Sequence, residues 1–206
     1  MQGSAPSQSN RRRNMKKKLV LIITACMVAV SVSACGIVTV VPIGQEGSFT
    51  GQEEFDSSAQ SSSDWASVVD EVKANAVDAA GALGGDLGGG TAVSGTAKIT
   101  EFNTDTPKYY LLVEVDGYDG EVQIQAGGVY SGTALRDTQS LKGFQDFTNQ
   151  TEWSQYAKAL NQEVDAQVIA PLALDESAAG KTATFVGAAT ASGGKIVITP
   201  VELTIE

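Results

Sequence analysis

Residues 96–126 read TAKITEFNTDTPKYYLLVEVDGYDGEVQIQA, and their apolar positions recur at a spacing of two rather than 3.6. Thr96–Phe102 is one predicted strand and Tyr109–Val115 the next, with Asn103–Pro107 as the turn between them. Asp116–Gly120, DGYDG, makes a second turn. Glu121–Ala126 is a third strand with Val122 and Ile124 on one face, and Gly127-Gly128 ends it.

Reading toward the C-terminus, the period lengthens. Thr148–Val168 predicts a helix whose apolar stripe is Trp153, Tyr156, Ala157, Leu160, Val164 and Val168. Asn149 with Glu152 resembles a capping box, and Pro171 stops the helix. Lys181–Ala189 and Lys195–Ile205 then return to the strand pattern, joined by Ala191–Gly194. In the last strand Val201, Leu203 and Ile205 alternate with polar residues, while Ile196 and Ile198 sit on the opposite phase. Pro200 lies at that switch and predicts a bulge or an edge position. The order β-β-β-α-β-β is that of an OB-fold, a five-stranded Greek-key barrel. A β-sandwich is the rival architecture.

Reading toward the N-terminus, a further amphipathic helix is predicted at about Asp64–Leu83, capped by Ser63 or Asp64. Trp65 heads its apolar stripe and reads as a core anchor. Gly84-Gly85 closes it, and Gly88–Gly90 reads as a flexible connector. The expected organisation is a signal peptide over 1–34, a lipidated cysteine with an extended polar tether over 35–63, and one globular domain over 64–206.

The signal peptide rests on Lys16–Cys35, KKKLVLIITACMVAVSVSAC. A basic start, Arg11–Arg13 and Lys16–Lys18, precedes an apolar run of 14 residues, Leu19–Val32. The closing Val32-Ser33-Ala34-Cys35 looks like a bacterial lipobox. That resemblance implies a diacylglyceryl group on the Cys35 thiol and cleavage before it. A second reading of the same region is an uncleaved membrane-spanning helix, since Leu19–Ile43 carries no charge over 25 positions. Ser31, Ser33, Gly36, Thr39 and Pro42 weaken it. Either way the domain lies outside the cytoplasm. The start is Met1 or Met15, and cleavage before Cys35 would give the same mature chain from either.

Removing residues 1–34 takes away six of the 14 Lys and Arg and none of the 24 Asp and Glu, which leaves 172 residues with a net charge of −16. So acidic a surface repels phosphate backbones and argues against nucleic acid as a partner. The chain has no histidine, which removes Ser-His-Asp and Cys-His catalysis and histidine-ligated zinc. Of the two cysteines, Cys26 lies in the cleaved segment and Cys35 carries lipid, so no disulfide is expected. No cofactor or metal is implied, and no paired-carboxylate motif points to a glycosidase. The expectation is a non-catalytic protein.

Gly127–Phe147 is too long for a barrel turn and densely polar. Tyr130, Thr133, Arg136 and Asp137 stand out in it, with Asn149 and Gln150 at the following helix start. Hydroxyls, amides and carboxylates beside an aromatic ring suit a small carbohydrate. Arg136, the only arginine of the mature chain, is suited to gripping a carboxylate. The opposing reading is that Arg136 and Asp137 pair with each other and staple the loop to the barrel, and that Asn149 and Gln150 only start a helix.

The segments SGTALRD and FQDFTNQTEWSQYAKALNQEV resemble an uncharacterised family of predicted periplasmic lipoproteins. VVPI after the lipobox, the helix with Trp65, and GKTATFVGAAT…IVITPVELTIE fit the same family, over roughly residues 37–206. The family has no established activity. Its members often stand beside genes for sugar ABC transporters, so the resemblance implies an accessory role in sugar uptake, with a transporter component or a small carbohydrate as partner. The alternative is a structural or assembly lipoprotein that docks onto another envelope protein without a small ligand.

Overall fold

The computed structural model describes Phe55–Glu206. The signal peptide, Cys35 and the tether as far as Glu54 lie outside the described residues. Among the described residues no helix is long and apolar enough to cross a membrane. Leu19–Ile43, the stretch open to that reading, lies outside them.

Helix α1 runs Ser57–Asn75, starting well before the expected Asp64. Its cap is Asp56, whose Oδ1 accepts from the amides of Ser58 (3.0 Å) and Ala59 (2.9 Å). Ser57, Ser58 and Ser61–Ser63, assigned to the tether, are therefore helical, and Ser61, Trp65, Val68 and Val72 form the buried stripe. The helix also stops earlier than expected. Ala76 is extended, and Val77–Asp78 (β1) pairs in parallel with Val93 and Ser94. One more turn, Ala79–Ala82 (α2), buries Ala79.

Five strands follow: β2 Thr91–Asn103, β3 Lys108–Val115, β4 Tyr118–Gly128, β5 Thr182–Ser192 and β6 Lys195–Ile205. Between β4 and β5 come a short helix α3, Ala134–Thr138, and a longer one, α4, Gln150–Val164. The sheet runs β2-β3-β4-β6-β5 and closes through β2–β5, a five-stranded barrel. One strand makes that closure possible. The first part of β2, Thr91–Lys98, pairs with β5, and the last part, Lys98–Asn103, pairs with β3. The seam between β4 and β6 is short and parallel, Val122–Ile124 against Ile196–Ile198. These are the expected fold class and strand order.

The expected irregularity at Pro200 is present. Gly187 lies opposite Pro200 while Val186 lies opposite Glu202, so the register shifts and Val201 is the extra residue. A side chain on Gly187 would place its Cβ 2.5 Å from the Thr199 carbonyl oxygen, so glycine is what lets the two strands approach there. The glycine-rich connector differs from expectation. A Cβ on Gly90 would lie 2.5 Å from the Ala134 carbonyl oxygen, so this segment is packed against α3 rather than a free linker.

The barrel interior is Ile99, Leu111, Val113, Val122, Ile124, Phe185 and Ile198, all buried. Tyr156, Leu160 and Val164 of α4 join the same core, as do Trp65, Val68 and Val72 of α1. Trp65 is thus the anchor its position suggested.

Candidate functional site

The chain between β4 and α4 folds back on itself through polar ties. Asp137 accepts from Arg136 Nε (2.8 Å) and Nη2 (2.6 Å) on Oδ1, and from Thr133 Oγ1 (2.6 Å) on Oδ2. The Arg136 guanidinium also lies 4.2 Å from the Trp153 ring centroid, and its Nη1 donates to the Trp153 carbonyl oxygen at 3.4 Å. The Arg136 side chain is only 11% exposed. Arg136 therefore spends its charge and its flat face on this protein's own groups.

The six residues singled out in the sequence do not form one cluster. Thr133, Arg136 and Asp137 meet, as described. Tyr130 turns elsewhere and donates to Asp165 Oδ1 at 3.1 Å, just past α4 where the helix widens by one residue per turn. Burial, then the charge of Asp165 and this hydrogen bond, push the Tyr130 phenol well above its usual range, so it stays a donor. Asn149 caps α4 by accepting from the Glu152 amide (3.0 Å), and Glu152 in turn accepts from the Thr148 amide (2.8 Å). Gln150 is exposed at the helix start.

Other side chains do more to shape the loop. Gln139, 6% exposed, donates to the carbonyls of Arg136 and Lys142 and accepts from the Lys142 amide, each at 2.8 Å. Glu71 of α1 accepts from the Ser140 amide (2.8 Å) and hydroxyl (2.6 Å). Asp146 accepts from the Gly143 amide at 2.8 Å. Between these braces Leu141 is 45% and Phe144 50% exposed. Gln125 locks the loop's start, donating to the Ser131 carbonyl (3.2 Å) and Thr199 Oγ1 (2.7 Å) and accepting from the Ser131 amide (2.8 Å). Composition flagged the polar loop, but the partners Trp153, Asp165 and Glu71 come from other elements.

Arg136→Ala should lower unfolding stability by about 1–3 kcal/mol, because it strands a half-covered carboxylate and strips a cation from Trp153. Chemical denaturation of the full-length chain in detergent reads this. An unchanged midpoint would mean the staple is idle.

No set of three or more Cys, Asp or Glu is grouped to hold a metal among the described residues.

The barrel, with its short parallel seam and its helix between the third and fourth barrel strands, defines an OB-fold protein. A solved OB-fold protein of Thermotoga maritima has this fold, with a TM-score of 0.51 at 16% identity over 74% of this chain and 99% of its own. At that identity the likeness concerns the fold alone. The sequence itself gives the family. The model of DUF2291, predicted periplasmic lipoproteins of unknown function, matches residues 80–204, and the chain belongs to that family. Membership places the domain outside the cytoplasm as a membrane-anchored lipoprotein. The match begins at residue 80, so α1 and its Trp65 precede it. No curated protein matches the sequence.

Proposed function

We propose that the mature protein is a non-catalytic accessory module of the envelope, anchored by lipid on Cys35, which docks through its 139–147 loop onto another envelope protein. A component of a sugar ABC transporter is the partner the family resemblance favours. The observation that carries the docking is the braced loop. Gln139, Glu71 and Asp146 hold the backbone while Leu141 and Phe144 face solvent. A loop ordered in advance loses little freedom on binding, and a half-exposed aromatic is the usual anchor at an interface. The acidic domain favours a partner with a basic rim.

A second reading is an assembly lipoprotein with no small ligand. The internal pairing of Arg136 with Asp137 supports it, because that pair is then a staple and not a grip.

The two part in one experiment. A photo-reactive residue at position 144 of the full-length chain, in its own membranes, should form a discrete adduct with a transporter subunit. The same residue at exposed Val77 should not. An adduct with an envelope protein outside transport favours the assembly reading. Equal, diffuse labelling at both positions removes the docking reading.

A further inference from the structure

The described domain begins at Phe55, whose ring meets Phe147 edge-on at 5.4 Å. Phe147 closes the braced loop, and its amide donates to the Phe144 carbonyl at 3.2 Å. At the loop's other end Ser140 is held by Glu71 of α1. Ser57 and Glu71 stand fourteen positions apart on that helix, a rise of about 21 Å. The loop therefore runs along the side of α1, from Glu71 back to the point where the chain enters the domain. Leu141 and Phe144 face solvent along that line.

The entry point is tied to the lipid. Twenty residue steps separate Phe55 from Cys35. Whatever its conformation, a chain of that length spans at most about 70 Å. With lipid on Cys35, the foot of α1 and the loop beside it are confined to a layer above one membrane. Confinement raises the local concentration of the loop toward anything that projects from the same membrane, and toward nothing else. The lipid surface itself is a poor occupant. The mature chain carries a net charge of −16, which anionic headgroups repel. Gln145 and Asp146, next to Phe144, are both exposed and resist transfer into hydrocarbon.

We infer that the docking partner is an integral protein of the membrane that holds the lipid, engaged side-on by the loop along α1. The inference rests on the docking reading and gives the class of its partner. That partner is a membrane-spanning subunit whose extracytoplasmic side offers an apolar pocket to Phe144 and Leu141. A soluble protein and a protein of a facing membrane do not meet this description.

The test moves the domain toward and away from the membrane. The full-length chain with the photo-reactive residue at position 144 is compared with two derivatives in native membranes. One lacks Gly44–Glu53, which leaves ten steps and a reach of at most about 35 Å. The other carries a 40-residue EAAAK-type insert between Gln45 and Glu46, a semi-rigid spacer of roughly 60 Å where helical. Both changes lie outside Phe55–Glu206, and lipid label on Cys35 verifies anchoring in all three chains. The deletion should keep or raise the yield of the adduct, and the insert should lower it by about threefold or more. The adduct's partner, sequenced by mass spectrometry, should contain membrane spans. Equal yields from all three chains mean a partner in solution. Loss with the deletion means a partner beyond that reach. Either result, a partner without membrane spans, or labelling of lipid alone overturns the inference. A discrete adduct with a soluble protein leaves the docking standing and removes only this step, whereas no adduct from the parent chain removes both.

Discussion

A Cys35→Ser chain should take up no lipid label and should accumulate at precursor size. The expectation comes from Val32-Ser33-Ala34-Cys35 at the end of a 14-residue apolar run with a basic start. Only a thiol at that position can be alkylated, and cleavage follows alkylation. Each buried methylene adds roughly 0.8 kcal/mol, and two acyl chains hold where one holds marginally. Among the described residues no helix is long and apolar enough to cross a membrane. Membrane fractionation alone is a poor readout, because the uncleaved Leu19–Val32 run would itself keep the precursor in the membrane. Label incorporation and apparent size are the decisive measurements. A variant that matures and labels normally would move the lipid to another residue; wild-type and variant chains that alike take up no label and keep precursor size would return Leu19–Ile43 as a spanning helix.

The strands were legible wherever one face is buried and the other wet. β6 shows this best, since even the phase switch at Pro200 is written in the alternation of Ile196, Ile198, Val201 and Leu203. What escaped the sequence is what depends on distant partners. The start of α1 was hidden because its buried stripe opens on Ser61, a polar residue 1% exposed, and hydropathy cannot see a serine in a core. The end of α1 was hidden because the apolar spacing runs on through Ala79 and Leu83, while Val77 leaves the helix to pair with Val93. The same division holds at the candidate sites. Arg136 and Asp137 are neighbours in the chain, so their pairing was readable, but the Trp153 ring beneath Arg136 was not. On the barrel's outer face, Glu101 points outward because the register shifts between Ile99 and Glu101. With regular pairing, strict alternation from Ile99 would turn Glu101 inward.

Tyr156→Ala should cost about 3–5 kcal/mol of stability, the range for truncating a large buried ring. Tyr156 is fully buried at the joint between α1 and α4. Its ring lies 5.1 Å from that of Phe147 and 6.3 Å from that of Trp153, stacked on the latter at 19°. Phe147 in turn meets Phe55 at 5.4 Å, so the cluster ties the first described residue to the barrel's helix. The Tyr156 hydroxyl donates to Asp64 Oδ2 at 3.0 Å, an oxygen that also accepts from Gln60 Nε2 at 2.8 Å. Burial first, then the Asp64 charge, hold the phenol protonated far above its usual range. Tyr156→Phe keeps the ring and should cost only about 1 kcal/mol, since Asp64 retains Gln60 and some solvent. The alanine variant should also couple to Arg136→Ala. Trp153 carries Tyr156 on one side and the Arg136 guanidinium 4.2 Å from its centroid, so loosening the ring weakens the staple before Arg136 is touched. The double variant should therefore lose less than the sum of the two singles, by roughly 0.5 kcal/mol or more, in denaturant unfolding of the full-length chain. Additive losses would mean that Trp153 is held by the barrel alone. A loss below about 1 kcal/mol for Tyr156→Ala would mean that α1 and α4 do not share a core.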